Sequence, residues 1–219
     1  MGTLRLAHRG DWRVAPENGL AALLAAVEVP GCDGLEFDVR VAADGVPVLL
    51  HDETLTRVQG RPERVDALPS ATLGELGVPT LQDVLVALPR GAFLDVELKG
   101  FHDRTIVEVL AAGRGADLRR AVVSSFEAET LERVGSLAPT WPRWLNADDL
   151  SPATVARAVE LRCRGIAAEW HAIDGAAMRR ARAADLEVAV WTVRRRSTFA
   201  RLAALGVAAI CVEAAALDG

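Results

Sequence analysis

The chain has 219 residues, 51% hydrophobic and 25% charged, with a net charge of −5, an ordinary globular balance with length enough for a large core. The acidic balance argues against a nucleic-acid or anionic-membrane surface as the main partner, and no apolar run reaches the length of a membrane span. Cys32, Cys163 and Cys211 are too scattered for a disulfide framework or a thiolate metal site, and the N-terminus lacks a signal-peptide pattern, so one domain over residues 1–219 in the cytoplasm is expected.

The first run, LRLAH (4–8), reads as a short strand ending in His8-Arg9-Gly10. PENGLAALLAAVEV then reads as a helix with Asn18 as its cap and Leu20, Leu23, Leu24 and Val27 as its buried stripe. Residues 34–53 form the next unit, two apolar-rich arms around Asp44-Gly45, a pair suited to a two-residue hairpin turn. With that turn, Asp38 lies opposite His51 and Glu36 shares their face, while Leu35, Phe37 and Val39 point the other way. Residues 54–79 read as an irregular surface excursion with at most one short helix, and Pro79-Thr80 opens the helix of PTLQDVLVAL.

Strand-like runs follow at 93–99, 121–126, 140–145, 165–170, 187–193 and 208–213, separated by helical patterns such as RTIVEVLAAG and AETLERVGSL. With the strands at 4–8 and 34–40 they make eight βα units. The expected fold is a (β/α)₈ TIM barrel with a short hairpin excursion after the second strand. A doubly wound open sheet is the competitor, weakened by the lack of any Gly-rich nucleotide-binding turn after an early strand.

In such a barrel the chemistry gathers at the carboxyl ends of the strands. His8 and Arg9 end the first strand, Glu36 and Asp38 lie on the second, and Asp95, Glu97 and Lys99 alternate along the next barrel strand. Charges on an inward face are costly unless paired or bound to metal. Glu36, Asp38 and Glu97 supply hard oxygen donors without cysteine, which suits one divalent cation, Mg²⁺ or Ca²⁺. His8 and His51 are then a pair of proton-transfer groups, and Arg9 and Lys99 are cations for an anionic substrate, most simply a phosphate. Of 25 basic residues Lys99 alone is lysine. Trp191, with Phe126 and Trp170, is a candidate wall for a head-group pocket and equally a candidate for core packing. His102 reads as a helix-start residue, His171 as a rim residue, and Arg194 to Arg196 as a solvated loop at the active-site end.

The segments AHRG (7–10), PEN (16–18), LEFDV (35–39), VPVLLHDETLTR (46–57), PTLQDVL (79–85), VELK (96–99), SSF (124–126) and VWTV (190–193) occur in this order, and together the chain resembles glycerophosphodiester phosphodiesterases. The resemblance implies a (β/α)₈ barrel that cleaves small glycerophosphodiesters. It implies His8 and His51 as acid/base pair, Glu36, Asp38 and Glu97 as metal ligands, and Arg9 and Lys99 as phosphate contacts. Other phosphodiester hydrolysis of the lysophospholipase D kind, or a silent barrel binding a phosphorylated ligand, are the alternatives. Two departures stand out: Arg194 where the family carries Asn, and a last strand ending Val212-Glu213-Ala214-Ala215 in place of Thr-Asp-x-Pro. Arg194 is therefore expected to favour anionic or hydroxyl-rich head groups over cationic ones.

Overall fold

The computed structural model describes residues 2–219. β1 (Leu4–His8) leads to α1 (Leu20–Val27), and β2 (Gly34–Val41) turns back through a hairpin into β3 (Pro47–Leu49). The excursion carries α2 (Thr56–Gln59) and α3 (Ser70–Glu75), and α4 (Leu81–Ala87) returns the chain to the barrel. Strand and helix then alternate: β4 (Phe93–Leu98), α5 (Arg104–Arg114), β5 (Ala121–Ser125), α6 (Ala128–Leu137) and β6 (Arg143–Ala147). The last units are α7 (Pro152–Glu160), β7 (Gly165–Glu169), α8 (Gly175–Ala183), β8 (Glu187–Val193), α9 (Arg196–Ala204) and β9 (Ala209–Val212). Hydrogen bonds link the strands in the order β1-β9-β8-β7-β6-β5-β4-β2, and β1 pairs with β2. Eight parallel strands thus close a TIM barrel, with β3 outside the ring and antiparallel to β2.

The period of two sorts every strand into two faces. Leu35, Phe37 and Val39 of β2 and Leu94, Val96 and Leu98 of β4 point outward into one core shared with Leu23, Ala26, Ile106 and Leu110 of the helices. Each such aliphatic or aromatic side chain contributes roughly 1.5–3 kcal/mol on full burial. Inside the ring a second cluster, including Leu6, Val122, Trp144, Ala167, Ala189 and Ala209, fills the barrel floor. There the large Trp144 stacks on Phe93 (centroids 6.1 Å apart), and alanines on β7 to β9 make room for the pair. Above this apolar floor the inward positions become charged.

Four local expectations are corrected. The hairpin register is offset by one residue: Val39 pairs with Leu49 and Arg40 with Val48. The loop has three residues, 43 to 45, with Gly45 at φ 80° and Ala42 N–H donating to the Val46 carbonyl. A left-handed glycine closing a three-residue loop is the alternative to the two-residue turn. Leu50, not His51, therefore stands opposite Asp38, and its N–H donates to the Asp38 carbonyl at 3.2 Å.

Asn18 is not a helix cap. Gly19 holds the N-cap position of α1, and the buried face is Ala22, Leu23 and Ala26, with Leu24 exposed. The excursion is more ordered than its composition suggests. Around α2, a 3₁₀ turn at Val65–Ala67 and α3, it encloses its own apolar cluster of Val48, Leu50, Leu55, Val65, Leu73 and Val78. Finally, β6 starts at Arg143 rather than at 140, because Pro142 has no N–H to donate and Trp141 turns aside to bond the Ala116 carbonyl.

Candidate active site

Strand register sets the site. His8 pairs with Glu36 across β1 and β2, and Glu36 with Asp95 and Asp38 with Glu97 across β2 and β4. Period-two alternation puts these side chains inside the ring at its carboxyl end. Arg9 and Gly10 then turn the chain off β1 with φ of 58° and 87°. A Cβ at Gly10 would lie 2.6 Å from the carbonyl carbon of Ala22, so only glycine lets this turn press against α1. Arg9 is carried over the mouth, with Nε 2.9 Å from Asp38 Oδ2 and Nη1 donating to Glu17.

One oxygen from each of Glu36, Asp38 and Glu97 lies within 4.8 Å of the others, and all three residues are buried. Asp38, 0% exposed, is well compensated. Lys99 Nζ lies 3.2 Å from its Oδ1, Asn18 Nδ2 donates to its Oδ2 at 2.8 Å, and its own N–H donates to Asn18 Oδ1. Burial would raise its pKa, but Arg9, Lys99, His51 and Asn18 outweigh that and lower it. Glu36 is the opposite case. Burial, then the Asp38 charge, pushes its carboxyl well above the usual range, and among the described residues neither of its oxygens has a hydrogen-bond partner. Glu97 is raised by burial and Asp38 even though Lys99 donates to it. Deeper in the ring, burial lifts Asp95 to about 7 against the hydrogen bond from Ser124 Oγ.

The two histidines are held alike. His8 Nδ1 is 2.6 Å from Glu213 Oε1, and His51 Nδ1 is 2.6 Å from Asp52 Oδ1. Each carboxylate is gripped at its second oxygen by an arginine: Arg194 Nε donates to Glu213 at 2.7 Å and Arg57 Nε to Asp52 at 2.6 Å. Burial would raise both carboxyls, yet these hydrogen bonds bring each down to about 2. With Nδ1 engaged, Nε2 is the free nitrogen of each ring. His8 Nε2 stands 3.7 Å from Glu36 Oε2. Burial lowers the pKa of His51, partly opposed by Asp38 and Asp52.

A cavity of about 210 Å³ opens here, lined by His8, Arg9, Glu36, His51, Glu97, Lys99 and Trp191, with Asp38 beneath them. His8, Arg9, Glu36, Asp38, His51, Glu97, Lys99 and Trp191 are thus brought together at this mouth. His51 arrives by a route other than the expected ladder: β3 ends at Leu49, Leu50 turns into the excursion core, and Arg40 Nε holds the His51 carbonyl at 2.9 Å. Phe126 also lines the cavity and meets Trp191 edge to face at 5.7 Å. Trp170 instead packs on the outer core and against His171, which bonds Glu169 outside the cavity. His102 is buried below the mouth and does not start α5, whose cap is Asp103. A wider hollow of about 970 Å³ at the other end of the barrel contains none of the three clustered carboxylates.

Sequence reasoning overlooked Asn18, Asp52, Arg57, Glu213 and the bridging Glu17, which accepts from both Arg9 and Arg57. The signals were in the quoted segments: Asn18 and Glu17 in PEN, Asp52 beside His51, Arg57 closing the same run. Arg194, expected to select head groups, donates its Nε to Glu213.

A glycerophosphodiester phosphodiesterase of Caldanaerobacter subterraneus subsp. tengcongensis is 31% identical over 160 residues, 64% of this chain and 64% of that protein. The chain thus spans just under two thirds of that curated relative. Among solved structures, a glycerophosphodiester phosphodiesterase of Agrobacterium tumefaciens has a TM-score of 0.80 at 29% identity, covering 99% of this chain and 98% of that one. A phosphodiesterase of Oleispira antarctica, solved in complex with the product sn-glycerol-3-phosphate, has a TM-score of 0.79 at 26% identity, covering 96% and 93%. The model of the glycerophosphoryl diester phosphodiesterase family matches residues 8–217, nearly the whole barrel with every group gathered at its mouth, and the chain belongs to that family.

Proposed function

We propose that this chain hydrolyses glycerophosphodiesters to sn-glycerol 3-phosphate and an alcohol, with one divalent cation, Mg²⁺ or Ca²⁺, held by Glu36, Asp38 and Glu97. The observation that carries the reading is Glu36, a buried carboxylate with two unpartnered oxygens beside two further carboxylates. Such a group is costly unless a cation meets it. The donor set fits: it offers oxygens only, and a divalent ion would supply the positive charge that favours the ionised forms of Glu36 and Glu97, which burial and the Asp38 charge oppose.

When bound, the ion supplies Lewis-acid polarisation of a phosphate oxygen. The chain's own groups do the rest. Arg9 and Lys99 line the cavity and offset charge growing on the phosphoryl oxygens. His8 and His51 work through Nε2, one removing a proton from the nucleophile and the other protonating the leaving alkoxide. Phe126 and Trp191 wall the apolar side against the carbon skeleton of the substrate. The product-bound Oleispira antarctica relative supports the choice of a glycerol phosphate moiety.

The test is release of sn-glycerol 3-phosphate from glycerophosphocholine, glycerophosphoethanolamine and glycerophosphoglycerol, with Mg²⁺, with Ca²⁺ and with a chelator. Release with an ion and none with chelator is expected. Full turnover in excess chelator, with no metal found by elemental analysis, removes the cation from the reading. Phosphate binding without turnover of any diester would make this a silent barrel.

A further inference from the structure

We infer that Arg194 and Glu213 form a positioning pair that holds His8 as the tautomer with Nδ1 protonated and Nε2 presented to the reacting centre. The inference rests on the reading of His8 as a proton-transfer group. Its physical basis is a continuous chain of contacts. Arg194 Nε donates to Glu213 Oε2 at 2.7 Å, and Glu213 Oε1 meets His8 Nδ1 at 2.6 Å. The far side of the same ring points Nε2 toward Glu36.

The backbone explains why Glu213 is there. Ala7 pairs with Val212 across β1 and β9, so the next step of the register sets Glu213 beside His8. The Glu213 N–H donates to the Val193 carbonyl at 2.9 Å, and the Ala216 N–H reaches the Arg194 carbonyl at 3.2 Å, lacing the ends of β8 and β9 together. Glu213 thus follows β9, which pairs with the histidine-bearing β1, and Arg194 follows β8, the next strand on the same side of the ring.

An exposed ion pair is the plainer account, and Arg194 is 71% exposed. Such a pair is worth only about 0–1 kcal/mol and asks nothing of a histidine. Two features exceed it. Glu213 is 8% exposed at its side chain and spends its second oxygen on the ring nitrogen, not on solvent. The other histidine of the mouth, His51, has the same arrangement built from unrelated elements: Arg57 to Asp52 to Nδ1. Two separate parts of the chain meet one demand, an imidazole whose Nδ1–H has an acceptor and whose Nε2 is left free. A carboxylate in this place fixes ring orientation and tautomer and stabilises the imidazolium once it forms.

The experiment combines kinetics on the metal-loaded protein with histidine ring ¹⁵N spectra of the same samples. Glu213→Gln is expected to lower kcat at least about 100-fold, toward the roughly 10⁴-fold loss that follows when the carboxylate behind a proton-transferring histidine becomes an amide, with KM changed less than about twofold. The His8 ring should pass from one tautomer to a mixture in protein that is still fully folded at the assay temperature. Arg194→Ala should cost less than Glu213→Gln, Arg194→Lys should recover most of that loss, and the Arg194→Ala loss should vanish in the Glu213→Gln background. An unchanged kcat or an unchanged His8 ring spectrum in Glu213→Gln overturns the inference, as does a kcat loss that merely follows unfolding. If the wild-type protein cleaves no glycerophosphodiester, the functional reading fails, and the ring spectra still decide whether Glu213 sets the tautomer.

Discussion

Lys99 is the residue whose replacement best separates catalysis from architecture. Its ammonium, 14% exposed at the side chain, pairs with Glu97 and lies 3.2 Å from the fully buried Asp38. Lys99→Met removes the cation and leaves both carboxylates. Stripping one partner from a buried pair costs about 3–5 kcal/mol. Glu97, whose pKa is already raised by burial, relieves part of this by taking up a proton, so the lower end, about 3 kcal/mol, applies. For a chain of this size that corresponds to roughly 6–12 °C in Tm. Thermal melts in chelator should show that fall, and melts with Mg²⁺ or Ca²⁺ should show a smaller one, because a divalent ion replaces the missing charge. Lys99→Arg keeps the charge and should melt near wild type. Its broad planar fork, however, must enter a cavity of about 210 Å³. Its kcat/KM should fall at least about tenfold, or about 1.4 kcal/mol of transition-state stabilisation, and that of Lys99→Met should fall further. Wild-type kinetics in both variants with a lowered Tm in Lys99→Met would make Lys99 a scaffold residue. An unchanged Tm in chelator would refute the charge compensation itself.

Asn18→Ala strips a donor and an acceptor from Asp38 in a buried site and forces alanine to φ near 58°, so denaturant unfolding should show a loss of about 2–4 kcal/mol; a change below about 0.5 kcal/mol would sink the role given to Asn18. Asp52 is held at about 2, below the value of about 4 for an unfolded carboxyl, so its stabilisation is complete above about pH 4 and is lost as pH falls toward 2. Between pH 5 and 2 the Tm of Asp52→Asn should therefore fall less steeply than that of wild type, and parallel curves would contradict this. Leu73→Ala opens a cavity in the small core under the excursion, at a cost of about 2–5 kcal/mol. Hydrogen exchange should then quicken mainly across residues 54–79, with a loss of kcat because that segment carries Arg57 onto Asp52; uniform loosening of the whole barrel would count against a separate core.

The sequence alone determined the eight barrel strands and the faces of the four inward carboxylates. Period-two alternation put Glu36 and Asp38 opposite Leu35, Phe37 and Val39, and Asp95 and Glu97 opposite Leu94, Val96 and Leu98, because alternation is local and each strand shows it within its own residues. Counting strands then led to the ring, and the ring to a single mouth where the charged ends meet. The hairpin register lay beyond local reading, since Asp44-Gly45 serves a two-residue turn or a three-residue loop, and the packing of Leu50 into the excursion core accompanies the latter. Asn18 looked like a cap because Asn before an apolar stripe usually is one; only the approach of α1's leading loop to β2 turns its amide onto Asp38. His8 and Glu213 are 205 positions apart and meet because β9 closes against β1. Such pairings depend on closure of the barrel, a property of all eight strands at once, and no window along the chain contains it.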